Sequence, residues 1–319
     1  MSVLVLVETD GGGIIEVSAE TLTFARQLGQ ELHAVVVGDA PAGLDKLGAY
    51  GVTTVHQATG EAFSSYAAAA WAAAVVAAAT DVSAVVAAGT PRGNEVLAHT
   101  ACRLGVAMAA NVVEVTDGTP LTVSRQVLGG AAMEELQLGD TPAVFSVAGH
   151  ACDPAPADQA TTPTVVPLQV DVPEADLRAR VVRTEPGEPD ESGSLKSARV
   201  VVGAGRGAGS ADGFKDLLEL TDLLDGALGV SRVVTSLGWR PHHEQVGQTG
   251  SRVSPDLYLA CGISGAIQHW AGMSSSKTII AINNDEDAPM VTKAHYAVIG
   301  DLHEIVPAVN EELRRRRSA

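Results

Sequence analysis

Aromatic residues are scarce in this sequence, at 3% of its 319 residues, although 46% of the residues are hydrophobic. A core of this composition is packed mainly from Ala, Val and Leu side chains. Basic residues are also outnumbered, with 21 Lys and Arg against 38 Asp and Glu, and the formal net charge is −17. This balance argues against a protein that binds nucleic acid or an anionic membrane, because such binding depends on clustered cations. The one basic run, RRRR at 314–317, is interpreted as a solvated helix end.

Cysteines and long apolar runs are few as well. Cys102, Cys152 and Cys261 are far apart and form no C-x-x-C pair, which indicates small hydrophobic side chains in a reducing compartment. The amino terminus has a short apolar run without a basic region or a cleavage-site pattern, and the Ala-rich stretch 66–79 is too short to cross a bilayer. We therefore expect a cytoplasmic protein without a membrane span.

The first half of the chain alternates between strand-like and helix-like segments. Strands are predicted at residues 3–7, 32–37, 52–55 and 82–88, and helices at 18–28, 42–50, 64–80 and 93–104. Apolar strands separated by helices are typical of a parallel sheet that is covered on both faces. Alternating runs then predict an antiparallel extension of the sheet at 112–115, 121–127, 132–138 and 143–147.

A second alternation of strands and helices begins at residue 198. Strands are predicted at 200–202, 232–236, 257–263, 277–283 and 296–300, and helices at 213–227, at 266–273 and from 302. Before it lie a strand-like stretch near 165–172 and a Pro- and acid-rich linker at 185–197. We therefore predict two doubly wound α/β domains, at residues 1–190 and 198–319, the second built on a parallel sheet.

The segment PDLYLACGISGAIQHWAGM, at 255–273, carries the strongest indication of function. An apolar strand leads into the glycine-bounded turn GISG, and a segment with helical spacing follows, in which Gln268 and His269 are polar. Glycines at such a turn let the backbone approach a ligand closely, and a helix start offers free N–H groups to an anion. This arrangement favours the binding of a dinucleotide coenzyme.

Three further segments each allow two interpretations. GAGRGAG at 203–209 is either a plain glycine-rich turn or a phosphate loop in which Arg206 meets the phosphate, although its spacing is not the Rossmann spacing. Ser231 and Arg232 stand at the start of a predicted strand, where Arg232 is either a strand-edge residue or a ligand contact. QVGQTG at 245–250 is either a surface turn or part of a binding site.

Sequence patterns typical of a catalytic nucleophile or of a metal site are weak. His242, His243 and Glu244 share no face of a regular element, and the acidic run 285–287 lacks the periodicity of a calcium loop, so it is interpreted as a solvated turn. There is no nucleophile elbow and no Ser-His-Asp order. We expect neither a catalytic residue nor a metal, and we interpret the polar residues as groups that bind a ligand.

The motifs QVGQTG, PDLYLACGISGAIQH, SKTIIAIN and GDL, in this order and at these separations, resemble the electron transfer flavoprotein α-subunit family. The resemblance covers 200–309, and GISGAIQH-x2-GM is its most specific part. It implies a heterodimer in which this chain's second domain binds FAD and a β-subunit carries AMP. It also implies an electron carrier, not an enzyme with its own substrate turnover. Single electrons pass from flavoprotein dehydrogenases, typically of the acyl-CoA type, to a quinone-reducing oxidoreductase.

The resemblance also implies roles for individual residues. It assigns Arg206 to the phosphates, Arg232 to the face of the isoalloxazine ring, Thr249 to flavin N5 and His269 to flavin O2. Residues 264–268 surround the pyrophosphate and ribityl chain, and 283, 301 and 302 contact the adenosine end. The implied cofactor-binding set is Arg206, Ser231, Arg232, Val246, Gly247, Gln248, Thr249, Ser264, Gly265, Ala266, Ile267, Gln268, His269, Asn283, Asp301 and Leu302.

The sequence departs from the family pattern at three positions of interest. Ser251 stands where a Lys commonly follows QTG, Asn284 where Lys is frequent, and His295 where Asp is frequent. The alternatives are an α-subunit of a specialised quinone-linked or electron-bifurcating complex, and a nucleotide-binding subunit without electron transfer. A yellow heterodimer would favour a flavoprotein, and a colourless protein would favour the nucleotide-binding subunit.

Overall fold

The chain divides into two compact units, one formed by Met1–Val127 with Met133–Pro186 and the other by Leu128–Ala132 with Gly187–Ala319. The structure is a computed structural model that describes residues 1–10, 13–38, 43–116, 118, 120–128, 132–184, 195 and 198–317. The predicted linker at 185–197 therefore lies outside the described residues, except for Leu195. Our domain limits of 1–190 and 198–319 remain a proposal. The mixed α/β class with parallel sheets is confirmed.

The first unit is built on a nine-stranded sheet. Its elements are β1 Ser2–Leu6, β2 Thr9–Asp10, β3 Gly13–Ile14, α1 Glu16–Ala25, β4 Glu31–Val37, β5 Val52–Ala58, α2 Ala68–Ala78, β6 Val82–Ala88, α3 Pro91–Leu104, β7 Met108–Thr116, β8 Leu121–Val127, β9 Ala132–Leu138, β10 Ala143–Val147 and β11 Thr164–Pro167. The strand order is β11-β5-β4-β1-β6-β10-β7-β8-β9. Successive residues of β1 face opposite sides, because Val3 and Val5 pack in one apolar cluster and Leu4 and Leu6 in another.

The predicted antiparallel extension is correct for β8 and wrong for β10. β7 pairs with β8 in antiparallel fashion, but β10 lies between β6 and β7 and is parallel to both. All five residues of β10 are buried, which is typical of a central parallel strand. The local sequence contains no information on which strands flank such a run, so the prediction grouped it with the antiparallel strands before it.

The helices of the first unit are shorter than predicted in most cases. The predicted helix 42–50 is a 3₁₀ segment, Leu44–Tyr50, and the predicted helix 18–28 ends as a 3₁₀ turn, Arg26–Leu28, before Gly29 in the left-handed region. By contrast, α3 begins earlier than predicted because Thr90 caps it, accepting a hydrogen bond from the backbone N–H of Gly93 with Pro91 at the first helical position.

The second unit is built on a five-stranded parallel sheet. Its elements are β12 Val200–Ala204, α4 Lys215–Leu223, β13 Ala227–Val230, α5 Arg232–Ser236, β14 Leu257–Cys261, α6 Ile267–Trp270, β15 Thr278–Asn283, α7 Pro289–Lys293, β16 Tyr296–Ile299 and α8 Leu302–Arg317. The strand order is β13-β12-β14-β15-β16, so the chain reverses its direction of travel across the sheet at β12. Apolar clusters cover both faces: Val202 and Leu259 pack on one side, and Val201 and Tyr258 on the other.

One predicted strand of the second unit is wrong, and two predicted helices are too long. The predicted strand 232–236 is the helical turn α5, and the strand is the preceding segment, β13, which pairs with β12. Val233 and Val234 have strand propensity, but tertiary pairing of the small segment ALGV overrides it. The predicted helices 213–227 and 266–273 are longer than the observed ones, since α4 ends at Leu223 and α6 at Trp270. Within the described residues, no helix has the length and apolar character needed to cross a membrane.

Candidate functional site

A cavity of about 580 Å³ lies at the carboxyl ends of the parallel strands of the second unit. All five strands of that sheet are followed by residues that line it, which is where open α/β sheets bind ligands. The lining residues are Arg206, Gly207, Ser231, Arg232, Val233, Gln245, Val246, Gly247, Gln248, Thr249, Gly262, Ile263, Ser264, Ala266, Gln268, His269, Asn283, Asn284, Asp285, Ala288, Gly300, Asp301 and Leu302.

The floor of the cavity is formed where the turns after β12 and β14 meet backbone to backbone. The N–H of Gly205 donates to the carbonyl of Cys261 at 2.9 Å, and the N–H of Gly207 donates to the carbonyl of Gly262 at 3.1 Å. A Cβ at Gly205 would overlap the Gly262 carbonyl, so a larger residue would force the two turns apart. This close approach holds Arg206, between the two glycines, at the cavity.

Arg206 and Arg232 are exposed cations of the cavity wall. Neither guanidinium group makes an ion pair or a hydrogen bond with any of the described residues, in a chain whose formal net charge is −17. Ser231, next to Arg232, is 9% exposed, and its buried hydroxyl has no hydrogen-bond partner in the part of the chain that the structure describes. These groups provide two positive charges and one hydroxyl for a polar, negatively charged ligand.

The QVGQTG segment forms one wall and is tied to both of its neighbours. Val246 donates its N–H to the carbonyl of Val230 at 2.9 Å, at the end of β13, and Gln248 donates to the carbonyl of Gln268 at 2.7 Å. Gln245 is buried, and its side-chain amide donates to the Thr249 hydroxyl oxygen at 3.1 Å. The Thr249 hydroxyl accepts this bond, so its own proton is available to a ligand.

His269 is the most buried polar residue of the cavity wall that α6 supplies, at 6% exposure. Its Nε2 lies 2.9 Å from the hydroxyl of Tyr258 on β14, and its Nδ1 has no hydrogen-bond partner within the described ranges. Burial lowers the pKa of His269 to about 4, and the nearby Val246 backbone opposes this shift only in part. The ring is therefore neutral near pH 7 and acts through hydrogen bonds.

The opposite end of the cavity is built from the turns after β15 and β16. Asn283 donates its side-chain amide to the carbonyl of Ile263 at 3.0 Å, and its side-chain oxygen accepts from the N–H of Asp285 at 3.1 Å. Asp301 precedes α8 and accepts from the N–H of His303 at 2.9 Å. The Asn283–Ile263 bond ties the turn after β15 to the turn after β14, and the other two bonds each stabilise their own turn.

Cys261 closes β14 below the cavity and is fully buried. Burial raises the pKa of its thiol to about 12, so it remains protonated. This protonated thiol is a small apolar side chain and provides no nucleophile.

The structure brings together nearly all of the predicted cofactor-binding residues. All of them line the cavity except Gly265 and Ile267, and the Ile267 side chain is 75% exposed. Gly265 contributes indirectly, since its positive φ and its close contact with Met290 shape the turn. That each residue contacts a cofactor remains a prediction.

Several lining residues are absent from the predicted set. They are Gly207, Val233, Gln245, Gly262, Ile263, Asn284, Asp285, Ala288 and Gly300. Asp285 belongs to the acidic run interpreted as a solvated turn, and its distance from the motifs along the chain hid its position. Gln245 opens QVGQTG and could have been found from that motif. Of the three family departures, Asn284 lines the cavity, whereas Ser251 and His295 are not among its lining residues.

A ligand cavity at the carboxyl ends of a parallel sheet, with two arginine side chains that no described residue pairs, defines this chain as an α/β protein that binds a phosphate-bearing cofactor. The family model described as "Electron transfer flavoprotein domain" matches residues 3–173, and "Electron transfer flavoprotein FAD-binding domain" matches residues 194–274. The chain therefore belongs to the electron transfer flavoprotein α-subunit family.

Curated relatives match along essentially the whole chain. A protein named "Electron transfer flavoprotein subunit alpha" from Mycobacterium leprae is 39% identical over 321 residues, covering 98% of this chain and 98% of its own. Proteins of the same name from Paracoccus denitrificans and Pseudomonas aeruginosa are 34% and 33% identical and cover 98% of this chain. They cover 100% and 99% of their own lengths respectively. The resemblance inferred from the motifs is thus confirmed.

FAD is the cofactor of this family's FAD-binding domain, and the cavity residues fit it. A dinucleotide needs cations and N–H groups for its pyrophosphate, and Arg206 and Arg232 have no competing carboxylate partner among the described residues. The unpartnered Ser231 hydroxyl and His269 Nδ1 are buried polar atoms that a bound ring or chain can satisfy.

Proposed function

We propose that this chain is the α-subunit of a cytoplasmic, heterodimeric electron transfer flavoprotein. It binds FAD in the cavity of the second unit and passes single electrons from flavoprotein dehydrogenases of the acyl-CoA type, as in fatty acid β-oxidation, to a quinone-linked acceptor. The observation that carries the proposal is a set of groups at one cavity that have no partner among the described residues: the side chains of Arg206 and Arg232, the Ser231 hydroxyl and His269 Nδ1.

The residues divide into groups along the cavity, as the three parts of FAD require. Arg206 and the glycine-bounded turn at 262–265 hold the pyrophosphate. Arg232, Thr249 and His269 surround the isoalloxazine ring. The turns that Asn283 and Asp301 fix hold the adenosine end, with the Leu302 side chain beside them.

Bound FAD supplies a ring system that takes up and releases one electron at a time, and the protein supplies orientation and electrostatics. Arg232 contributes the positive charge beside the ring. His269 is neutral, because burial lowers its pKa to about 4, so it contributes a hydrogen bond instead of a charge. The Thr249 hydroxyl, whose oxygen accepts a hydrogen bond from Gln245, would donate a hydrogen bond to an acceptor atom of the ring.

A β-subunit that carries AMP completes the heterodimer in this proposal. The exposed apolar side chains of the second unit support a partner surface. Tyr296, Val298 and Ile299 of the edge strand β16 are 66%, 43% and 50% exposed. An exposed apolar edge strand is usually covered by another element or chain.

The proposal is tested by producing the chain together with the β-subunit from its own organism. We expect a heterodimer that releases FAD and AMP on denaturation, at about one of each per dimer. An acyl-CoA dehydrogenase with its substrate should bleach the flavin, and a quinone-reducing oxidoreductase should restore its colour. A colourless dimer after reconstitution with FAD would contradict the proposal. A second flavin in place of AMP would support a bifurcating complex instead.

A further inference from the structure

Tyr258 lies directly behind the cavity, on the side of β14 that packs in the apolar core of the second unit. Its side chain is fully buried, and its hydroxyl is 2.9 Å from Nε2 of His269. The two rings meet edge to face, with centroids 6.1 Å apart. Tyr258 does not line the cavity, so its contact with a ligand is through His269.

The direction of this hydrogen bond follows from the buried phenol. Burial raises the pKa of Tyr258 far above its usual value, so the hydroxyl keeps its proton. His269 is the one hydrogen-bond partner that the described residues offer this hydroxyl. If Nε2 carried a proton and donated it, the phenol proton would be buried without an acceptor, at a cost of about 1–3 kcal/mol. The phenol therefore donates and Nε2 accepts.

An accepting Nε2 fixes the position of the ring proton. A neutral imidazole has one N–H, and a ring that accepts at Nε2 carries its proton on Nδ1. Nδ1 is also the nitrogen of His269 that has no hydrogen-bond partner within the described ranges. The ring is thus a donor whose N–H makes no full hydrogen bond with the described residues, although the Val246 backbone is close enough to favour the protonated ring.

We propose that Tyr258 is a positioning residue that locks neutral His269 in the Nδ1–H tautomer, so that the cavity wall offers the flavin a hydrogen-bond donor. This inference rests on the proposed function for the identity of the ligand. An acceptor such as a ring carbonyl gains from this donor, and gains more when negative charge collects on it during reduction.

Gly203 supports a specific place for the phenol. A Cβ at this position of β12 would overlap the Tyr258 hydroxyl and the ring carbons beside it. The absence of a side chain on the adjacent strand therefore makes the space in which the hydroxyl reaches His269.

The tautomer can be read directly, without any measurement of activity. We would label the chain with ¹⁵N-histidine, assemble it with unlabelled β-subunit, and record ¹⁵N NMR spectra with and without FAD, assigning His269 from a His269→Gln sample. The expected result is a proton on Nδ1 and a bare Nε2 in both states. A proton on Nε2 in either state would overturn the inference.

Tyr258→Phe tests the cause while preserving the ring of the core residue. We expect it to bind FAD but to show the His269 proton on both nitrogens. The equilibrium constant for one-electron reduction of its flavin should fall threefold to tenfold, which at 59 mV per tenfold is a drop of about 30–60 mV in midpoint potential. The matched control is Tyr66→Phe in the first unit, which also removes one phenol hydrogen bond, to Glu95, and should change neither quantity.

The outcomes separate this inference from the proposed function. A Tyr258→Phe complex with bound FAD, an unchanged tautomer and an unchanged potential would show that Tyr258 is packing alone. A wild-type complex that binds no FAD would contradict the proposed function, and its spectrum would still report the tautomer. If Tyr258→Phe fails to fold, the wild-type spectrum decides the inference.

Discussion

The two units use the carboxyl ends of their parallel strands in opposite ways. In the first unit the polar groups there bond to one another: Thr90 donates to the buried carboxylate of Glu8, and Ser146 donates to Asn94 at 2.6 Å. In the second unit the corresponding edge is a cavity where two arginines, a serine hydroxyl and a histidine nitrogen have no partner among the described residues. Both units are α/β units built on parallel strands, but they differ in how the polar groups at the strand ends are paired.

This difference shows where function enters an α/β fold. Polar groups that hydrogen-bond to one another hold their own strands together and are not available to a ligand. Buried polar groups without hydrogen-bond partners destabilise the protein, and a ligand that bonds to them removes this destabilisation. The arginines that follow parallel strands in the two units differ in the same way. Arg92, which follows β6 in the first unit, lies 5.1 Å from the centre of the Tyr66 ring, while Arg206 after β12 contacts no aromatic ring among the described residues. The comparison can be tested by changing one group on each side.

The largest effect is expected from Glu20→Ala in the first unit. Glu20 accepts from the backbone N–H of His150 at 2.8 Å and lies 3.1 Å from its ring, and both side chains are almost fully buried. Breaking a buried polar pair costs about 3–5 kcal/mol. Urea denaturation should show this loss while FAD content stays unchanged. Glu61→Ala, at an exposed site, is the control. A parallel loss of FAD would break the comparison.

Acid should weaken the second unit through His269. Its folded pKa is about 4 against a usual 6.5, so the unfolded chain binds more protons between these two values. The contribution of neutral His269 to the free energy of unfolding is therefore fully present above pH 6.5. It is lost as the pH falls toward 4, by up to about 3 kcal/mol. Urea titrations of the FAD-free heterodimer across this range measure it. His269→Gln should flatten the decline, and an equally steep decline in that variant would contradict the assignment.

Arg206→Ala and Arg92→Ala compare the two strand-end arginines directly. An exposed charge-assisted contact with a pyrophosphate is worth about 1.5 kcal/mol, so Arg206→Ala should weaken FAD binding roughly tenfold. Arg92→Ala should leave the dissociation constant unchanged, because Arg92 covers an aromatic ring. Fluorescence titration of the FAD-free heterodimer measures both. Equal losses in the two variants would remove the distinction between the units.

The smallest effect is expected from Arg232→Ala. Arg232 is exposed, so solvent screens its charge, and its loss should cost the reduced flavin about 1 kcal/mol. For a one-electron step this is a drop of about 40 mV in midpoint potential, with FAD still bound. The midpoint potential of Arg232→Lys should lie between those of the wild type and Arg232→Ala, since an ammonium group keeps the charge but cannot stack as a plane on the ring. Redox titration followed by absorbance decides it, and an unchanged potential would place the ring elsewhere.

The sequence predicts the site better than it predicts the elements around it. QVGQTG and GISGAIQH are short segments whose glycines and polar groups already indicate a backbone that meets a ligand, and both line the cavity. The strand at 232–236 was predicted wrongly because Val233 and Val234 have strand propensity, while the pairing that makes Ala227–Val230 the strand comes from β12, distant in sequence.

Other features are set by contacts between distant parts of the chain. The acidic neighbours of Asp285 predict a solvated turn, whereas its place at the cavity follows from the position of β15 in the sheet. Tyr258 reads as one apolar core residue in LYLAC, and its hydroxyl acquires a role only when α6 brings His269 to it. Pairings of this kind are fixed by tertiary structure and have no local pattern.

The position of β10 has a consequence for folding during synthesis on the ribosome. β1, β4, β5 and β6 can pair once residue 88 has left the exit tunnel, but the next neighbour of β6 is β10, which ends at Val147. Through the synthesis of the intervening 54 residues at 89–142, the apolar edge of β6 is expected to stay unpaired. An open edge of that kind invites pairing with another nascent chain, so a holding chaperone would act in this interval.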